Sequence, residues 1–402
     1  MARVFPFRGL RPKPELVGEV ASPLFDVVST EEARKLAEGN PNSFLRVDKP
    51  AIEFPPGHPQ SDPALYEKAS ENLRALVSSG VLAQDAAPCF YIYRLATEEK
   101  TQTGLAACLH VGDYEKNIIK KHELTRPDKE ADRAAHIRAC SAHASPVLCA
   151  YRSDKTVNML MHNYASVHEP VFNTTTDGEV THTIWVVSET YEISSFTRAF
   201  ESVPSIYIAD GHHRSAAAAR AADIDNEESQ KFLSVLFPHD EMSIMDYNRA
   251  VKDLNGLFEE EFIEKLSVSF ETSPSDIRFK PEAPHEYGMY AFGKWKRLKY
   301  KSDAPDKILD RLPVSVLQNE IMKKILNIGD PRTDKRIDFV GGSRGIEYLE
   351  AIVDSGEMAA AFTVCPTSME DLLSVADSNL IMPPKSTWFE PKLLSGLLVH
   401  MF

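Results

Sequence analysis

The residues most suited to chemistry lie in one short stretch, Asp210-Gly211-His212-His213-Arg214, with Ser215 following. Ile206 to Ala209 before it is an apolar run that reads as a buried strand. Asp-Gly is a turn signal. The Ala-rich run from Ser215 to Ala222 has high helix propensity. The pattern is therefore strand, tight turn, helix. Gly211 lets the backbone approach a ligand closely. The first N–H groups of the helix have no intrahelical acceptor and favour an anion. The guanidinium of Arg214 offers a planar fork suited to phosphate. These features describe a phosphate cradle. It is not a Walker loop, because no G-x-x-x-x-G-K-[ST] occurs in the chain. A plain turn with histidines capping a helix is the competing reading. The density of polar groups in this one turn favours a ligand.

Two further clusters carry reactive side chains. Lys121-His122-Glu123-Leu124-Thr125 precedes a helix expected from about Asp128 to Ala142, and its lone carboxylate also reads as a solvated loop residue. Near the end, Pro384-Lys385-Ser386-Thr387 combines a point charge with two hydroxyls. It can also simply terminate a segment and cap a turn.

The elements that must position these clusters are legible in part. Ser29 and Glu32 form a capping box for a helix running through Leu36. A helix from about Ala64 to Ser79 places Leu65, Ala69, Leu73 and Leu76 on one face. Strands are expected at Phe44 to Val47, Cys89 to Leu95, Gly104 to Val111 (a hairpin with the preceding one), Ser145 to Tyr151, Thr181 to Ser188, Phe232 to Phe237 and Tyr247 to Val251. Residues 152 to 179 read as polar and turn-rich. Beyond 252, helices at Gly256 to Ser267, Ser315 to Ile325 and Ser368 to Ala376 alternate with strands at Tyr287 to Phe292 and Ala359 to Cys365.

Composition bounds the function. The chain has 402 residues, of which 43% are apolar and 26% charged. That is the make-up of an ordinary globular protein with room for two or three domains. A formal charge of −14 argues against a general nucleic-acid or anionic-membrane surface. Five scattered cysteines without C-x-x-C spacing read as reduced, core-filling thiols. Met1 to Phe7 is too short and charged for a signal peptide. Together these predict a cytoplasmic protein. Oligomeric state is not legible.

The motifs Pro6-Phe7-Arg8-Gly9-Leu10, Lys121-His122-Glu123, Asp210-Gly211-His212-His213-Arg214 and Pro384-Lys385-Ser386-Thr387 together resemble domain-of-unknown-function family 1015 from end to end. The core also resembles the ParB/sulfiredoxin superfamily. Within it the chain looks most like the archaeal free-serine kinases, which carry P-H-E, D-G-H-H-R and P-K-T-T in the same order. Lys121 stands where those kinases have proline, Ser386 replaces the first threonine, and residues 1–100 have no counterpart there.

That resemblance implies an α+β fold: an N-terminal α/β region at 1–100, a ParB/sulfiredoxin-like nucleotide-binding core at 101–250, and a C-terminal α/β region at 251–402 closing the site. It implies phosphoryl transfer from ATP or ADP, with Mg²⁺, to free L-serine. Glu123, Asp210 and His213 would be catalytic. Gly211, His212, His213, Arg214 and Ser215 would hold phosphate. His122, Thr125, Lys385, Ser386 and Thr387 would bind substrate, and Asp210 would hold the metal. Three alternatives stand beside it: a kinase for another hydroxylated metabolite, a ParB-like nucleotide switch without catalysis, and a zinc hydrolase using His122, His212 and His213. The last is disfavoured because adjacent histidines seldom share one metal and no H-E-x-x-H occurs.

Overall fold

The computed structural model describes residues 1–176 and 179–402, a mixed α/β chain. It forms two compact units, Met1–Met242 with Pro391–Phe402, and Ser243–Glu390. The division differs from the three parts read in the sequence. Residues 1–100 do not stand apart, because Val4–Phe5 and Phe90–Ala96 pair into the same sheet as the turn-bearing strand.

The first unit is built on a nine-stranded mixed sheet. From one edge its order is Phe172–Thr176, Val180–Val187, Phe90–Ala96, Thr101–His110, Lys231–Pro238, Val147–Tyr151, Ile206–Asp210 and Ile119–Lys120, with Val4–Phe5 paired beside Thr101–His110. Lys231–Pro238 and Val147–Tyr151 are buried throughout, as inner strands covered on two sides must be. A small four-stranded sheet joins Leu82–Gln84, Gly9–Pro12, Val399–Met401 and Ala142–His143, so both chain ends are fixed to this unit.

Helix Pro127–Cys140 packs on helix His212–Ala221 through Ala134, Ile137, Ala217 and Ala221. The small side chains permit a close approach, and the loop ahead of the first helix is thereby held near the start of the second. The helix Pro63–Ser78 buries Leu65, Ala69, Leu73 and Leu76, the face expected from their spacing. The capping box at Ser29 and Glu32 is formed, and its helix spans Thr30–Leu36.

Two expectations fail. Phe44 to Val47 is not a strand but enters the helix Leu45–Asp48. So short a segment carries no period that separates the two. Residues 152 to 179, of which 177 and 178 lie outside the described residues, hold the helix Lys155–Val167 and the strand Phe172–Thr176. Asp154 caps that helix by accepting from Thr156 N and Val157 N, and Val157 and Met161 are its buried residues. An aspartate in this position satisfies N–H groups that the helix itself leaves open.

The second unit carries a six-stranded antiparallel sheet ordered Phe270–Ser275, Lys294–Tyr300, Glu286–Ala291, Ala360–Val364, Tyr247–Val251 and Ile337–Gly341. Among the described residues no helix is long and apolar enough to cross a membrane.

Candidate active site

Strand Ile206–Asp210 ends at Gly211, whose φ of 103° is left-handed, and helix His212–Ala221 begins at once. The first intrahelical bond runs from Ser215 N to Gly211 O at 3.0 Å. The N–H groups of His212, His213 and Arg214 therefore precede the helical ladder. No side chain caps them at the glycine. On its outer edge the same strand pairs in parallel with Ile119–Lys120, Ile206 facing Ile119. Because the two run in one direction, the chain leaving Lys120 and the chain leaving Asp210 emerge at the same end. That end is the carboxyl end of these two strands, so the loops that follow them are neighbours.

This brings His122 and Glu123 to His212. The rings of His122 and His212 meet edge to face, centroids 4.4 Å apart at 86°. The backbone N–H of His122 donates to His212 Nε2 at 3.4 Å. Burial pushes His122 down to about 4 and His212 well below its ordinary value, the latter helped by His122. Both imidazoles are therefore neutral at pH 7. With Nε2 accepting, the proton of neutral His212 lies on Nδ1. That atom is 4.0 Å from Glu123 Oε2, on a side chain 48% exposed.

His122, Glu123 and His212 also bring three potential metal-ligand atoms within 4.8 Å of one another. The hydrogen bonding does not fit a metal there. Nε2 of His212 is occupied by an N–H, and Nδ1 carries the proton, whereas a ligating imidazole must present a bare nitrogen. His213 is turned aside, its Nε2 accepting from Arg126 N at 3.1 Å, so a three-histidine zinc centre does not form.

Asp210 sits at the turn with its side chain 30% exposed. Lys392 Nζ donates to its Oδ2 at 3.0 Å, and Arg214 lies 3.8 Å from its Oδ1. Burial opposes its ionisation, but Lys392 and Arg214 outweigh this and hold the carboxyl well below its usual range. Nearby positive charge favours the ionised form in this way.

Arg214 departs from the sequence reading. Its guanidinium is turned into the protein rather than open to a ligand. It donates to Pro146 O, reaches Asp26 Oδ2 at 3.4 Å and is only 5% exposed. Arg214→Ala should therefore cost about 1–3 kcal/mol of stability, because it leaves Pro146 O buried without its donor; Asp26 is 38% exposed and Asp210 keeps Lys392. Denaturant unfolding measures this; an unchanged midpoint would return Arg214 to the ligand-facing role.

Gly211 is under double constraint. A Cβ there would lie 3.0 Å from Arg214 Cζ, in a left-handed backbone. Gly211→Ala should cost at least about 1–2 kcal/mol from the backbone alone, read as a lowered unfolding midpoint.

Ser215 and Thr125 are also committed within the protein. Ser215 is fully buried and donates to Gly211 O at 3.3 Å. The Thr125 hydroxyl donates to Glu130. In the second unit, Lys385 takes a φ of 57° and its carbonyl accepts from Arg249 at 3.0 Å. Ser386 Oγ donates to Pro383 O at 2.6 Å, a local turn bond. Thr387 follows it in the same segment.

Lys392 and Asp26 were absent from the sequence reading. Phe389-Glu390-Pro391-Lys392 has no motif around its lysine. Only tertiary structure joins Lys392 to a residue 182 positions away.

A family model described as "Protein of unknown function (DUF1015)" matches residues 4–316. No curated protein matches the chain. Among solved structures it is similar to a conserved hypothetical protein from Pyrococcus furiosus, at 14% identity over 73% of this chain and 95% of that one, TM-score 0.37. A free serine kinase in complex with AMP aligns at 16% identity over 71% of this chain and 86% of that one, TM-score 0.36. SbnI with a C-terminal truncation, from Staphylococcus aureus, aligns at 12% identity over 74% of this chain and 87% of that one, TM-score 0.39.

Proposed function

The chain belongs to the DUF1015 family, and from that premise and the geometry of its turn we propose that it is a nucleotide-dependent phosphotransferase acting on a small alcohol, free L-serine. One observation carries the reading. A half-exposed carboxylate, Glu123, is set beside the uncapped N-terminus of helix His212–Ala221 by parallel strand pairing. Phosphoryl transfer needs a site for the phosphates and a base for the acceptor hydroxyl side by side, and little covalent chemistry besides. Serine as acceptor rests on the three motifs shared in order with free-serine kinases.

In this reading the N–H groups of His212, His213 and Arg214 hold the terminal phosphates of ATP or ADP. Glu123 takes the proton of the serine hydroxyl as its oxygen attacks the terminal phosphorus, and the shortened nucleotide leaves. His212, through its Nδ1 proton, orients Glu123, and His122 fixes the tautomer of His212. His213 holds the loop through Arg126 N. Arg214 and Ser215 support the turn from beneath. Mg²⁺, when bound, neutralises phosphate charge. Asp210 would hold it, Oδ1 lying beyond hydrogen-bond reach of Arg214, as a hard oxygen ligand of the kind Mg²⁺ takes. His122 and Thr125 belong to the acceptor side. The motif shared with the free-serine kinases adds Lys385, Ser386 and Thr387 as further substrate contacts.

The test is incubation of the purified protein with labelled ATP or ADP, Mg²⁺ and a panel of amino acids and other hydroxylated metabolites. Labelled O-phosphoserine is the expected product. Transfer to a different alcohol alone would replace the acceptor. Nucleotide binding without transfer to anything would favour a ParB-like binding module.

A further inference from the structure

The lysine that closes on Asp210 comes from the far end of the chain. Lys392 stands two residues after Glu390, where the chain re-enters the first unit at Pro391. Just beyond it, Leu394–Ser395 pairs with Ser22–Pro23, and Leu394 N donates to Tyr93 Oη at 3.4 Å, so the backbone beside the lysine is anchored. Its side chain is 21% exposed and its ammonium meets Asp210 at 3.0 Å.

The two cations on Asp210 are unlike. Arg214 is buried and spends its guanidinium on Pro146 O and Asp26, so it cannot follow a ligand. Lys392 is partly open to solvent, beside the uncapped helix N-terminus. Its ammonium is a point charge on a flexible stem. A divalent cation on Asp210 Oδ1 competes with the ammonium on Oδ2 for the charge of one carboxylate, so a ligand that brings a metal to Asp210 weakens its hold on Lys392. The nearest new anion is then the phosphate that the helix N-terminus holds.

We infer that Lys392 is a phosphate-binding residue that exchanges partners, pairing with Asp210 in the free protein and with a nucleotide phosphate in the bound one. The inference rests on the nucleotide reading above and adds a ligand contact to it.

The experiment measures binding of adenosine, AMP and ADP, each with Mg²⁺, to wild type, Lys392→Met, Lys392→Arg, Asp210→Asn and the double variant Asp210→Asn/Lys392→Met. Lys392→Met should weaken ADP by about tenfold or more, the scale of a lost charge-assisted contact, and leave adenosine unchanged. Lys392→Arg should restore part of the loss. The decisive comparison is in the Asp210→Asn background. A lysine that contacts phosphate keeps its ADP penalty there. A lysine that serves only to neutralise Asp210 loses it, and that result overturns the inference. Equal ADP affinity in wild type and Lys392→Met overturns it as well. Should Lys392→Met unfold, acetylation of wild-type lysines read by mass spectrometry replaces it: ADP, and not adenosine, should shield Lys392, and equal labelling would overturn the inference. Wild type that binds none of the three ligands would instead remove the nucleotide reading itself, and this inference with it.

Discussion

Glu123→Gln is expected to bind nucleotide as the wild type does and to lose phosphoryl transfer by on the order of 10²–10⁴, the range for removal of a general base. The two halves of that expectation have separate causes. The Glu123 side chain is 48% exposed. A change at such a position alters stability by about 0.5 kcal/mol or less. Its position beside, not within, the helix N-terminus leaves the phosphate donors untouched. Glutamine keeps the size and an oxygen for the Nδ1 proton of His212, so the loss isolates basicity. Single-turnover measurement reads binding and transfer independently. A variant that binds ATP and phosphorylates serine at the wild-type rate would end the role of Glu123. A variant that loses nucleotide affinity as well would mean the carboxylate belongs to the phosphate or metal site.

The turn was legible in the sequence because each of its parts has a local cause. An apolar run, an Asp-Gly pair and an alanine run give strand Ile206–Asp210, a left-handed Gly211 and helix His212–Ala221. Propensity and sterics alone suffice for these. Helix Pro63–Ser78 was legible through the spacing of its buried side chains. The direction of Arg214 was not. A guanidinium after a Gly turn can face a ligand or the core, and the choice is made by Pro146 and Asp26, both remote in sequence. Ser215 likewise became a support for the turn, its hydroxyl aimed back at Gly211 O, a bond to the preceding turn that helical serines commonly make.

The same limit explains how Glu123 meets His212. The loop 121–126 offers no local sign of where it lies. Its place follows from the parallel pairing of a two-residue strand and from the alanine contacts of Pro127–Cys140 with His212–Ala221. The division into two units has a related cause. Residues 243–390 are inserted within the first unit, and the chain returns at Pro391, which a reading in chain order assigns to a terminal region.

Acidification between pH 7 and 5 is expected to unfold the first unit and spare the second. Burial lowers His122, His136 and His182 to about 4 and His143 to about 3, and takes His212 well below its ordinary 6.5. In each the folded value lies under the unfolded one. The unfolded chain therefore binds more protons, and stability falls as pH drops through the unfolded value toward the folded one. His122, His136, His182 and His143 each remove on the order of 1.5–2 kcal/mol between pH 7 and 5, and His212 acts in the same direction. Together they are comparable with the roughly 5–15 kcal/mol that holds a domain. The depressed carboxylates Asp113 and Asp210 do not offset this, since their contribution is lost only below the ordinary carboxyl value of 3.8. All of these histidines lie in Met1–Met242, whereas Ser243–Glu390 contains one histidine, His285. Tryptophan fluorescence separates the units, because Trp185 is buried in the first while Trp295 and Trp388 belong to the second. In a Trp295→Phe/Trp388→Phe variant the Trp185 signal should move with a midpoint near pH 5. In a Trp185→Phe variant the remaining signal should hold to lower pH. A Trp185 signal that stays native to pH 4 would mean that the buried imidazoles take up protons in the folded chain.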